Sequence, residues 1–132
     1  MRQAVQFAHA LADETRWRIV QLLCEDALCV CELADILKMP QSSVSSHLQV
    51  IRKAGMIANE RCEKWIYYRL HPQFRSLLAA MSKHFAASTA TDATLARDAR
   101  LAVRRLAQRE ESCCPGPRKL ASTARKKLAV PA

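Results

Sequence analysis

At Gly55 the periodicity of the chain changes, and that change constrains the fold more than any other feature. Before it, apolar residues recur at helical intervals; after it, they alternate. "QSSVSSHLQVIRKAG" sets Val44, Leu48 and Ile51 on one face of a helix, since successive residues advance ~100°. The stretch ends at Gly55, the residue most at ease in the left-handed stop of a helix. "IANERCEKWIYYRL" then places Ile66, Tyr68 and Leu70 in alternation with Trp65, Tyr67 and Arg69. That pattern predicts two strands joined by a turn near Cys62 and Glu63.

Helical spacing dominates elsewhere. "AVQFAHAL" predicts a first helix to about residue 11, and Asp13 caps a second, "ETRWRIVQLLC", with Trp17, Val20 and Leu23 on one face. "EDA" reads as a short turn. A third helix, "VCELADIL", buries Leu33, Ile36 and Leu37, and "KMP" is a tight connection because Pro40 disfavours helical geometry at Met39. Beyond the strands Pro72 opens "PQFRSLLAAMSKHF", "AASTATD" breaks the helix, and "ATLARDARLAVRRLAQRE" stripes Leu95, Ala99, Ala102, Val103 and Leu106 along a last one. The fold class is mainly α with a small β-hairpin (α+β). Residues 88–112 are read as a C-terminal helix and 113–132 as a basic, mobile tail carrying a cysteine pair, since prolines, a glycine and unopposed positive charge fill that end.

The chain has 132 residues, enough for one domain with a real core, so disulfide staples are not required. No apolar run approaches the ~18 residues of a membrane span. The opening "MRQAVQFAHALADETR" lacks the apolar stretch of a signal peptide, so a cytoplasmic protein with no membrane partner is expected. In that compartment six cysteines read as reduced thiols for metal or redox chemistry. The net charge of +9 points to nucleic acid. Five of the basic residues and none of the acidic ones lie in 115–132.

Two short helices joined by "KMP" and followed by a hairpin make a winged helix-turn-helix, whose second helix enters the major groove of double-stranded DNA. With Val44 inward, Ser42, Ser46, Gln49 and Lys53 point away, Ser45 and Arg52 flank one side, and Ser43 the other; Gln41 opens the helix. Gln and Ser suit base edges, Arg52 and Lys53 phosphates. A merely solvated polar face is the alternative, but four serines within five residues are poor helix formers, which favours a use for them. His47 falls at the edge of the buried face as a packing residue. Arg61 and Lys64 at the hairpin tip are placed to meet phosphate or the minor groove.

"ALADETRWRIVQLL", "LCVCELADIL", "QSSVSSHLQVIRKAGMI" and "EKWIYYRL", in register over roughly residues 4–85, resemble the ArsR/SmtB family of metal-responsive bacterial repressors. The resemblance implies a homodimeric winged helix over residues 1–87, joined through its first and late helices, that binds a twofold-symmetric operator, needs no cofactor to do so, and releases the DNA on binding metal. Many relatives carry Gly where this chain has Glu63, which bears on the wing turn.

Within that resemblance "CVC" is similar to the thiolate site of arsenite-, cadmium- and lead-responsive members. Cys29 is a poor helix cap. The positive end of a helix dipole lowers a thiol pKa, so Cys29 and Cys31 are expected to be enriched in thiolate, the form that binds soft metals. Arsenic repressors of the enteric type carry a third cysteine where this chain has Ala34. Further sulfur must come from elsewhere, and Cys113 and Cys114, expected to be accessible, are the candidates. The family's alternative Asp/His/Glu site finds only His84 on its helix. Cys24 shares the packed face of Val20, and Cys62 lies in the wing turn. The expected inducer is trivalent arsenic or antimony, with Cd, Pb or Zn, or thiol oxidation, as alternatives. No C-x-x-C and no dinucleotide fingerprint supports an enzyme.

Overall fold

Asp13 sets the geometry of the N-terminal half. Its extended backbone lets the carboxylate accept the Arg16 N–H at 3.0 Å, starting α2 (Glu14–Glu25), while the Arg16 side chain donates to the Ala10 and His9 carbonyls at the end of α1 (Arg2–Leu11). The computed structural model describes residues 1–86, 89–111 and 114–120. After α2 comes β1 (Leu28–Cys29), then α3 (Val30–Leu37) and α4 (Gln41–Lys53), with Pro40 capping α4. Lys38 at φ +55 ends α3 and Gly55 at φ +73 follows α4, so the left-handed stop falls on Gly55 as the sequence predicts. Strands β2 (Ile57–Cys62) and β3 (Trp65–Leu70) form the wing. A 3-10 turn (Pro72–Phe74), α5 (Arg75–His84), α6 (Thr89–Ala107) and a last 3-10 turn (Arg109–Glu111) complete the order.

Among the described residues the strands make one antiparallel sheet, β1-β3-β2, with Cys29 opposite Tyr67 and Glu60 also opposite Tyr67. The sequence does not predict β1: it suggests a turn over 25–27 passing straight into α3, whereas Leu28 and Cys29 pair with β3 first. Side chains alternate across a strand. Leu28, Ile57, Tyr68 and Leu70 face the main core, where Ile19, Val20, Leu23, Leu33, Val44, Ile51, Met56 and Leu78 are buried. The other face is covered too. Cys29, Cys62, Tyr67 and Cys114 with Ala27 form a second buried cluster, with Trp65 and Leu120 against it.

That second cluster corrects the expectation of a mobile tail over 114–120: Cys114 has no exposure, and the Gly116 N–H donates to the Tyr67 hydroxyl at 2.7 Å. Tyr67 is fully buried for the same reason, while Ile66 on the main-core side stands 40% exposed near the tip. Residues 121–132 and Cys113 lie outside the described residues. α6 is already helical at Thr89, within the stretch read as a break. Among its described side chains the buried ones are Asp98, Ala102 and Arg105. The charged ones are tolerable because each is paired: Arg18 with Asp98 at 2.8 and 2.9 Å, and Arg105 with Asp35 at 2.8 Å. No described helix is long and apolar enough to cross a membrane.

Candidate metal centre and nucleic-acid interface

Cys29 sits where β1 hands over to α3, and its capping problem is solved by a partner three residues on. The Glu32 carboxylate accepts the Cys29 N–H at 3.1 Å while the Cys29 side chain faces the Glu32 backbone N–H, a capping box with sulfur in the place of hydroxyl. Glu32 has no exposure. Arg109 neutralises it through Nε at 2.7 Å and Nη2 at 3.0 Å, donates to the Ala27 carbonyl at 2.6 Å, and lies over the Tyr67 ring at 5.5 Å.

The 3-10 turn after α6 carries Arg109, and the chain beyond it delivers Cys114. Its sulfur is 3.5 Å from that of Cys29, and the sulfurs of Cys29, Cys31 and Cys114 all lie within 4.8 Å of one another. Metal–sulfur bonds of ~2.3 Å require sulfurs ~3.5–3.8 Å apart. One edge of the triangle therefore has that span, and Cys31, half-buried at the rim, needs only a small side-chain movement. Arg105 Nη2 lies 3.8 Å from the Cys114 sulfur.

Electrostatics here differ from the expectation. Burial raises the Cys29 thiol well above its usual pKa, with the negative Glu32 adding to the effect; the Glu32 backbone N–H opposes it and loses. Cys29 is thus held protonated rather than enriched in thiolate. Tyr67 is pushed up to about 12, first by burial and then by the neighbouring Cys29 and Glu32, although the Gly116 N–H pulls the other way. The expectation that Cys114 is accessible is likewise corrected, because the segment beyond it folds back on the sheet.

The sequence names Cys29, Cys31 and Cys114 as ligands, and the fold brings these three together; Cys113 falls outside the described residues. Cys62 joins the second cluster but not the sulfur triangle, and Cys24 is half-buried against the main core, its thiol raised by burial. Glu32, Arg105, Arg109 and Tyr67 are site residues that sequence reasoning missed. Cys29 followed three residues later by Glu32 was the readable signal for the first.

On α4, Val44, Leu48 and Ile51 are buried as predicted. Gln41, Ser42, Ser46, Gln49, Arg52 and Lys53 are exposed, and Ser43 and Ser45 are half-exposed. Ser46 returns its hydroxyl to the Ser42 carbonyl at 3.1 Å. His47 Nδ1 is 3.9 Å from the Asp13 carboxylate, tying α4 to the α2 cap. Arg61 and Lys64 are exposed on the wing; Arg61 donates to the Glu63 carbonyl at 3.2 Å and Lys64 lies 5.0 Å over the Trp65 ring. A cavity of about 170 Å³ opens beside α4, lined by Val30, Ser45, Leu48, Gln49, Arg52 and Tyr68. Val30, the residue between Cys29 and Cys31, thus forms a wall shared with α4.

Residues 13–59 match the model of a family described as bacterial regulatory protein, arsR family. Arsenic resistance transcriptional regulator ArsR1 of Pseudomonas putida is 45% identical over 74 residues, 55% of this chain and 58% of that protein. The match thus spans less than two thirds of that relative's length. The arsenical resistance operon repressor of Bacillus subtilis is 36% identical over 74 residues, 55% of this chain and 70% of that protein. Among solved structures, HlyU from Vibrio cholerae superposes with a TM-score of 0.59 at 26% identity, covering 64% of this chain and 94% of that one.

Proposed function

Because the chain belongs to the arsR family of bacterial regulatory proteins, we propose that it is a DNA-binding transcriptional repressor, not an enzyme, that leaves its operator when trivalent arsenic or antimony binds Cys29, Cys31 and Cys114. The observation that carries this reading is the sulfur triangle at the start of α3, the first helix of the DNA-binding pair. α4 enters the major groove with Gln41, Ser42, Ser43, Ser45, Ser46 and Gln49 toward base edges and Arg52 and Lys53 toward phosphate, while Arg61 and Lys64 of the wing reach the flanking backbone. The acting unit is a homodimer on a twofold-symmetric site. Exposed Val5 on α1, Leu77 on α5 and Phe85 just beyond it support a joining face built from these helices.

The chemistry of the site favours a trivalent hydroxide. Arsenous acid condenses with three thiols, forming three arsenic–sulfur bonds and releasing three waters, with no change of oxidation state and no net charge. Glu32 with Arg109 and Asp35 with Arg105 are already paired charges, so a neutral product suits this site. Three thiolates around a divalent ion such as cadmium, lead or zinc would leave one negative charge in it, at a desolvation cost. Drawing Cys29 and Cys31 toward Cys114 shifts Val30 relative to Ser45 and Gln49, with which it lines one cavity, and so re-aims α4. A coupling of ~1–3 kcal/mol would weaken DNA binding about 5–150-fold.

The test is fluorescence anisotropy of the reduced protein on operator DNA. Release on adding arsenite, absent when Cys29, Cys31 or Cys114 is Ser, is the expected result; unchanged affinity overturns the reading. The 3.5 Å approach of the Cys29 and Cys114 sulfurs supports a second one, oxidation by a peroxide. There the two thiols give up two protons and two electrons to form a disulfide, and the peroxide is reduced to water or alcohol. That reading predicts release with peroxide alone.

A further inference from the structure

Glu60 is the acidic residue of β2, and the chain beyond Cys114 is built around it. Its carboxylate accepts the N–H groups of Arg118 at 2.6 Å, Lys119 at 2.7 Å and Leu120 at 2.9 Å. Three consecutive main-chain donors converging on one anion form a nest, and the bond from Arg118 is the largest influence holding Glu60 below its ordinary pKa. The carboxylate is thus satisfied by backbone, and the side chains of Arg118 and Lys119 project as exposed cations. Leu120 packs on the buried cluster below, and Gly116 is fixed on Tyr67, so the segment is pinned at both ends.

The location of this strap gives it meaning. Glu60 lies on the sheet face turned away from α4, next to Arg61 and ~10 Å along the strand from the wing tip. Arg61 and Lys64 give the tip its positive charge, and Arg118 and Lys119 continue it across the outer face of the wing. The sequence goes on with Arg125, Lys126 and Lys127 and no acidic residue.

We infer that Arg118 and Lys119, positioned by the grip of their backbone on Glu60, are an additional DNA-binding element that meets backbone phosphates outside the segment covered by α4 and the wing tip. This rests on the DNA-binding reading above. Because Cys114 lies in the same strap, a ligand on the sulfur triangle pulls directly on this element as well as on α4.

Salt dependence of operator binding by the full chain tests the inference. The double variant Arg118→Gln/Lys119→Gln is expected to bind more weakly and to show a shallower slope of log affinity against log salt, by ~0.9 for each phosphate that is no longer neutralised. For two such phosphates, the gap between wild type and variant narrows about tenfold from ~50 to ~200 mM salt. The weakening should be equal on operator and unrelated duplex, and should vanish on a duplex trimmed to the part under α4 and the wing tip. Arg97→Gln/Arg100→Gln, which removes the same charge from exposed positions of α6, is expected to leave the slope unchanged. Glu60→Ala should weaken binding although it removes a negative charge from the wing. An unaltered slope in the double variant, an equal change in the α6 variant, or tighter binding by Glu60→Ala would each overturn the proposal. Wild-type protein that fails to bind any duplex would instead overturn the DNA-binding reading.

Discussion

Cys29 and Cys114 are 85 positions apart in the chain, yet their sulfurs approach to 3.5 Å at the junction between the sheet and the first helix of the DNA-binding pair. Replacing either with Ser, or replacing Cys31, is expected to leave operator affinity within about twofold of wild type and to abolish release by arsenite. Cys24→Ser should respond normally, because that thiol packs against the main core. Anisotropy titrations of the four variants check both statements.

Glu32 is fully buried and depends on Arg109 for its counter-charge. Arg109→Leu should destabilise the fold by about 3–5 kcal/mol, since an uncompensated buried carboxylate remains. Glu32→Gln combined with Arg109→Leu should recover most of that stability. Urea unfolding of the two variants beside wild type measures the difference.

The raised pKa of Cys29 fixes the sign of the pH dependence. Below that pKa the thiol is protonated, so a divalent cation must displace its proton and binds more weakly as pH falls. Arsenous acid carries the displaced protons away as water. Its affinity should therefore be nearly flat between about pH 6 and 8, while cadmium affinity drops by about tenfold per unit for each proton displaced. Competition titrations across that range distinguish the two.

Glu63 holds the wing turn at φ +57, a conformation that costs a non-glycine residue roughly 1–2 kcal/mol. Glu63→Gly should raise stability by about 0.5–1 kcal/mol, part of the relief being offset by the freer unfolded chain. A higher urea midpoint with an unchanged slope is the expected observation.

On α4 the engaged and the open side chains should behave differently. Ser46 spends its hydroxyl on the Ser42 carbonyl, whereas Gln49 is exposed beside the cavity under the wing. Gln49→Ala is expected to cost about 1–3 kcal/mol of discrimination between operator and altered operator. Ser46→Ala should cost less. Binding to a panel of single-base operator variants reads both.

The helices and the wing were legible because each announces itself locally: Asp13 as a cap, Pro40 as an interruption, Gly55 as a stop, and a two-residue period after it. β1 was not, because a two-residue strand has no period; only its partner Tyr67, far along the chain, defines it. The ligand sulfurs could be named from residue type, but their ionisation could not. Thiol chemistry at Cys29 is decided by how deeply Tyr67 and the 114–120 segment bury it, which is a property of long-range packing. The arginines of α6 and the turn after it were hidden for a related reason. Arg105 and Arg109 read as surface charge until Asp35 and Glu32 are seen opposite them.

The strap that carries Cys114 lies wholly beyond the helix-turn-helix and its wing. A frameshift or nonsense change just past Glu111 would spare α4 and the wing while deleting one corner of the sulfur triangle together with Arg118 and Lys119. Cells with such an allele would hold the controlled genes less firmly than normal, yet gain no further expression however much toxicant they met.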